Sequence, residues 1–368
     1  MIKRLTRVLP LLAAAGMLAA CGQVQAAEQT GDPGTDAAGS AAAEEAGTIT
    51  VTDDLDREVT IPARVDRAVV TLSYNNEFVQ AIGAGETVVG IDRGTLERDP
   101  YLGFDESEVV GESIGELNYE SIVALDPDVA IIPRNGAWQE AADQLEQFEI
   151  PVVVVSAWDF DVFDETVELL GEVFGEPEGA AKVQDFYHEI FDTVAERVDG
   201  LDPVPVYWET DKPYVTALPG SGFDAIITAA GGTNVFGDVD GGDAQFETTV
   251  DPASVVTRNP AVIVHERPPS AAPYPAGEIA DLAASIPERP GFAGIDAVTG
   301  SQVYVSNGWA TSGLSKAIGA AYLASWLHPE AFTGIDPADY LERWAVEFQG
   351  ISEADYAGAD AYVWGNGS

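Results

Sequence analysis

Tyr119-Glu120-Ser121-Ile122-Val123-Ala124-Leu125-Asp126-Pro127-Asp128-Val129-Ala130-Ile131-Ile132 reads as a helix, a proline and a buried strand. The continuous apolar run Val129–Ile132 suits a strand covered on both faces, the signature of a parallel sheet. The same order returns in Pro252-Ala253-Ser254-Val255-Val256-Thr257-Arg258-Asn259-Pro260-Ala261-Val262-Ile263-Val264. Upstream, Gly85-Glu86-Thr87-Val88-Val89-Gly90 is echoed by Gly232-Thr233-Asn234-Val235-Phe236-Gly237. Two features repeated in the same order point to two similar lobes.

Around these anchors, Ala68–Leu72, Val88–Ile91 and Val152–Val155 read as further strands. Glu77–Ile82, Tyr119–Leu125 and Trp138–Phe148 read as helices. Strands separated by helices imply βαβ units. Val204–Trp208, Phe223–Ala230, Ser254–Arg258, Ala261–Val264 and Val303–Val305 continue the scheme. Between the halves, Val183, Phe186, Tyr187, Ile190, Phe191, Val194 and Val198 form one helical stripe across Glu178–Val198,. The expected fold is α/β, with two Rossmann-like lobes of parallel sheet joined by one long connector helix. The expected organisation is a signal peptide over 1–20, a lipidated Cys and flexible tether over 21–47 and an N-terminal lobe over 48–175. The connector over 176–200, a C-terminal lobe over 201–350 and a tail over 351–368 complete it.

The chain has 368 residues, with 62 Asp+Glu against 17 Lys+Arg and a formal charge of −45. Hydrophobic residues at 46% supply a sizeable core and exclude a mainly disordered chain,. The negative field excludes a nucleic-acid partner, because it repels phosphate backbones. Lys3, Arg4 and Arg7 precede an apolar run too short to span a bilayer, the pattern of a signal peptide,. Leu18-Ala19-Ala20-Cys21 follows and resembles a bacterial lipobox, in which Cys21 is lipidated. Loss of residues 1–20 removes those three basic residues and no acidic one, taking the charge from −45 to −48. Cys21 is the only cysteine, so a disulfide framework is excluded,. Residues 22–47 carry no large aliphatic side chain except Val24 and read as a tether with a reach of about 25–30 Å,.

These features together resemble the ABC-transporter substrate-binding proteins for ferric siderophores, haem and cobalamin, over about residues 48–350. The lipobox, the Arg67–Leu72 strand, the Asn118–Asp128 segment, the connector and the Tyr322–Phe332 stretch carry the resemblance. It implies a class III substrate-binding fold with a ligand cleft between the lobes. It also implies docking to an ABC permease with its ATPase, a monomer, an extracytoplasmic place on the cell membrane, and no catalytic activity or resident cofactor. The ligand it implies is an iron chelate, with cobalamin or haem as alternatives and no metal held by protein ligands alone. An exposed Glu on each lobe meets the permease in this family; Glu120 stands at the first position, whereas Ala253 occupies the second. Asp251 or Glu247 is the expected substitute.

In open α/β sheets, ligands sit beyond the carboxyl ends of strands. That rule selects Tyr74 and Asn75 after the first strand, Arg134 and Trp138 after Ile132, and Trp158 after the valine run. In the second half it selects Trp208, Arg267 and Trp309, with Tyr214 and Tyr274 as weaker candidates. Arg134 and Arg267 each lie seven residues after the repeated proline. Equivalent lobes would present them from opposite cleft walls as a pair for an anionic chelate; the alternative is two surface arginines neutralised by acids such as Glu266. For any one tryptophan, core packing competes with ligand stacking.

An enzyme reading rests on Gly111-Glu112-Ser113-Ile114-Gly115, which matches G-x-S-x-G with Ser113 as nucleophile. A nucleophile elbow needs a helix directly after the serine, and Glu116-Leu117-Asn118 intervenes,. Asp238-Val239-Asp240-Gly241-Gly242-Asp243 lacks the spacing of an EF-hand and reads as an acidic turn,.

Overall fold

The computed structural model describes residues 47–158, 162–241 and 246–365. The signal peptide, Cys21, the tether up to residue 46, and Gly242 and Asp243 of the acidic turn lie outside the described residues.

The N-terminal lobe begins with an antiparallel hairpin, β1 (Thr48–Thr52) and β2 (Glu58–Pro62). Its main elements follow as β3 (Ala68–Val70), α1 (Ser73–Ala81), β4 (Val88–Asp92), α2 (Arg93–Arg98), β5 (Val109–Ser113) and β6 (Glu116–Leu117). Then come α3 (Tyr119–Ala124), β7 (Val129–Ile132), α4 (Trp138–Leu145) and β8 (Val152–Val154). The sheet order is β6-β5-β4-β3-β7-β8, parallel except for the β5–β6 turn. Strand order therefore reverses beside β3, leaving a crevice at the carboxyl ends of β3 and β7.

Two helices, α5 (Phe163–Phe174) and α6 (Pro177–Val198), lead out of this lobe. The connector α6 starts one residue earlier than the stripe suggests, because Pro177 takes its first turn, where the missing N–H costs nothing,. It packs against α5 on one side and α12 (Lys316–Leu327) on the other. Phe186 and Tyr187 of α6 touch Trp344 from the C-terminal half, and Tyr187 stacks on Phe163 at 4.4 Å. One continuous apolar core thus runs through α6 and includes Val129 from one sheet and Val206 from the other.

The C-terminal lobe runs β9 (Val204–Glu209), β10 (Val215–Ala217), α7 (Gly222–Ala229), β11 (Gly232–Asn234), β12 (Glu247–Thr249), α8 (Pro252–Arg258), β13 (Val262–Arg267) and α9 (Ala276–Ser285). It continues with α10 (Asp296–Thr299), β14 (Val303–Asn307), α11 (Gly308–Thr311), α12, α13 (Pro337–Arg343) and β15 (Val363–Gly365). Its order is β12-β10-β9-β13-β14-β15, with β11 also beside β9. The β11–β9, β9–β13 and β13–β14 pairs are parallel, whereas β10, β12 and β15 pair antiparallel. This sheet is mixed at both edges rather than all-parallel. The residues set apart as a tail supply β15, whose Trp364 pairs with Val305. No helix among the described residues is long and apolar enough to cross a membrane.

Candidate functional site

A cavity of about 670 Å³ lies where the carboxyl ends of the two sheets meet. Tyr74, Arg98, Arg134 and Trp158 line it from the N-terminal lobe. Thr210, Asp211, Phe223, Glu247, Glu266 and Lys316 are among the residues that line it from the C-terminal lobe.

Each wall follows from local chain geometry. Asp92 ends β4, and its carboxylate accepts the N–H of Leu72 at 2.7 Å, the Gly94 N–H at 3.0 Å and the Thr95 hydroxyl at 2.8 Å. Leu72 is held there at φ 78°, a left-handed conformation unusual for leucine, and turns the chain into α1 so that Tyr74 faces the cavity,. Asn75 is buried and clamps two loops together. Its amide donates to the carbonyls of Thr71 and Val155, and its carbonyl accepts the Ala157 N–H at 3.1 Å. Trp158 follows that clamp, and the Arg134 guanidinium lies over its ring, 4.2 Å from the centroid. The stack arises because β7 and β8 are neighbours and both end at the cavity.

In the opposite wall, Glu209 at the end of β9 is a buried hub. It accepts both arms of Arg289 at 2.7 and 2.8 Å, His265 Nδ1 at 2.7 Å, the Tyr207 hydroxyl at 3.0 Å and the Tyr214 N–H at 2.7 Å. Burial acts to raise this carboxyl, but the bonds from His265 and Arg289 outweigh it and hold it at about 2,. The hub pins the Thr210–Tyr214 turn, which carries Thr210 and Asp211 into the cavity. Next along the wall, Glu266 is buried on β13; burial pushes its carboxyl up to about 8, only partly opposed by a hydrogen bond from Ser312. Lys316 at the start of α12 donates to the Trp158 carbonyl at 2.7 Å, bridging the two walls.

The remaining sequence candidates lie elsewhere. Arg267 does not face Arg134; it pairs with Glu278 at 2.6 Å and stacks on Tyr274, outside the cavity. Side chains alternate along a strand, so Glu266 and Arg267 point to opposite faces, and Glu266 takes the cleft face. Trp138 opens α4 half-buried against the core, with the Arg57 guanidinium 4.5 Å from its ring centroid, and does not line the cavity. Trp208 is 1% exposed and stacks behind Phe223, and Trp309 is 2% exposed against Tyr101, so both are core rather than lining residues. Tyr214, at φ 65°, lies beneath Arg289, and the Tyr274 hydroxyl braces the Pro268 carbonyl at 3.0 Å. Asn75 positions Trp158 without lining the cavity. Arg98, Glu266 and Lys316 are lining residues that sequence reasoning did not place in the cleft. The scarcity of lysine, four in the chain, was the available signal for Lys316.

Glu120 is exposed in the first turn of α3, whose cap is Asn118. At the matching place on α8, Asp251 is the cap and accepts the Ala253 N–H at 2.8 Å, whereas Glu247 lines the cleft on β12. Asp251 is exposed at the start of its helix, as Glu120 is at the start of α3.

Ser113 ends β5, and its hydroxyl accepts the Gly115 N–H at 3.3 Å. The chain's three histidines are engaged with Asp164, Glu209 and the Gly231 carbonyl. Among the described residues no group of acidic, histidine or cysteine side chains is arranged to hold a metal ion.

The architecture and sequence both have relatives. The vitamin B12-binding protein of Yersinia pestis is 26% identical over 211 residues, which span 56% of this chain and 71% of that protein. The TroA-like periplasmic binding protein FepB of Veillonella parvula superposes with a TM-score of 0.70 at 21% identity, covering 86% of this chain and 99% of that one. The Haemophilus influenzae molybdate-binding protein MolA superposes with a TM-score of 0.66 at 23% identity, covering 82% and 98%. At such identities these structures establish a shared fold, the class III arrangement of two lobes about a connector helix. The sequence profile of the periplasmic binding proteins matches residues 69–307, a span that runs from β3 to β14 and holds most of the cavity lining, with Ser312 and Lys316 beyond it. With the cleft formed where the two lobes meet, this chain belongs to the periplasmic binding protein family.

Proposed function

We propose that the protein captures a ferric siderophore in this cleft and delivers it to an ABC permease. The observation that carries the reading is the Arg134 guanidinium stacked on Trp158 in a cavity that also holds Arg98 and Lys316. On a chain of formal charge −45, these cations collect at one place. Guanidinium forks match carboxylate and catecholate oxygens, and Trp158, Tyr74, Phe223 and the 54% exposed Phe246 offer aromatic faces to a bulky chelate,. A volume of about 670 Å³ falls within the roughly 300–1,000 Å³ range of small-molecule sites,. Lipidation of Cys21 would hold the receptor at the membrane, and Glu120 would meet the permease.

Titration of intrinsic tryptophan fluorescence tests the ligand, because Trp158 lines the cavity. Ferric hydroxamate or catecholate siderophores are expected to quench saturably at micromolar concentration or below. Response to none of the ferric siderophores removes the reading. Cobalamin is the second ligand to titrate, favoured by the B12-binding relative; saturation by cobalamin alone would replace the siderophore.

A further inference from the structure

The two walls of the cleft differ in charge. Arg98 and Arg134 face in from the N-terminal lobe, whereas Asp211, Glu247 and Glu266 face in from the C-terminal lobe beside Lys316. Glu266 is the unusual member. It is 5% exposed, it lines the cavity, and its Oε2 has no hydrogen-bond partner among the described residues. A buried carboxyl oxygen without a donor is costly, on the order of 1–3 kcal/mol or more, and natural cores seldom leave one without a use. A ligand with negative charge all round would bring like charge against this wall.

We infer that the Glu266 wall is an ammonium-binding subsite, so that the captured chelate carries a protonated amine opposite the face that meets Arg134. The inference rests on the siderophore reading and narrows it to amine-bearing ferric chelates. The ammonium supplies the donor that Glu266 Oε2 lacks, while Asp211 and Glu247 add favourable field. The charged groups around Glu266 are Glu247, Asp211 and Lys316, with Tyr74 across the cleft. Because burial favours the protonated acid in the empty cleft, arrival of the ammonium ionises Glu266 and releases one proton to solvent,.

The test compares two probes that differ at one nitrogen: a linear ferric trihydroxamate with a terminal primary amine, and the same chelate with that amine acetylated. Fluorescence titration of the wild-type protein is expected to favour the amine form by about tenfold or more. Glu266→Gln, which keeps the shape, is expected to reduce the ratio of the two affinities to within about threefold of one. Equal binding of the two probes by wild type overturns the subsite, as does an undiminished preference in the variant. Binding of a ferric catecholate but neither hydroxamate also overturns the subsite and leaves the siderophore reading intact. Binding of no ferric chelate removes both.

Discussion

Asp126 and Asn259 occupy equivalent places in the two lobes and adopt the same left-handed backbone, φ 49° and 47°. Each ends a short helix, precedes a proline and starts the chain back into a sheet, at β7 and β13 respectively. The sequence repeat is therefore also a repeat of backbone conformation, and both positions use residue types that tolerate this region.

That conformation is testable at Asp126, which is exposed. Asp126→Val places a β-branched residue at positive φ and is expected to cost about 1–2 kcal/mol. Asp126→Gly is expected to change stability by less than about 1 kcal/mol, since glycine populates this region freely. Urea denaturation of both variants checks the difference.

Arg134 and Arg267 looked equivalent by spacing and differ in place. Arg134→Ala is expected to weaken ligand binding by at least about tenfold, by removing a charged partner and the Trp158 stack,. Arg267→Ala is expected to stay within about threefold, because its guanidinium is committed to Glu278 outside the cavity,. Equal losses in the two variants would argue against the cleft described here.

Glu266 gives stability a pH dependence. Unfolded, its carboxyl ionises near the ordinary 4.5; folded, it keeps its proton to about 8. Between those values the native state binds the extra proton, so its contribution weakens as pH rises from about 4.5 to about 8,. Glu266→Gln removes this dependence. Its melting temperature relative to wild type is expected to rise steadily from pH 5 to pH 8 in thermal scans. A constant difference across that window would contradict the buried acid.

The connector is seated too closely to accept a methyl group at Gly179. A Cβ there would run into the carbonyl of Ile82, where α6 crosses the end of α1. Gly179→Ala is expected to destabilise by about 1–3 kcal/mol through this overpacking, whereas alanine at an open helical glycine would stabilise by roughly 1 kcal/mol. Chemical denaturation gives the sign directly.

The linear sequence determined the α/β alternation, the internal repeat, the connector and the family, because apolar periodicity and proline punctuation are local signals. It also placed Tyr74, Arg134 and Trp158 at strand ends, where the switch in strand order opens the cleft. It did not reveal β10, β12 and β15, which are short strands at or next to the sheet edges, formed by pairing with partners up to about sixty residues away. Only the tertiary structure decided which face of β13 turns to the cavity, sending Glu266 into the cleft and Arg267 out of it. The two face choices differ by the pleat of a single residue, and spacing along the chain carries no information about which face the opposite lobe covers. The burial of Trp208 and Trp309, and the approach of Lys316 to the Trp158 carbonyl, were likewise settled by how two lobes close around one shared core.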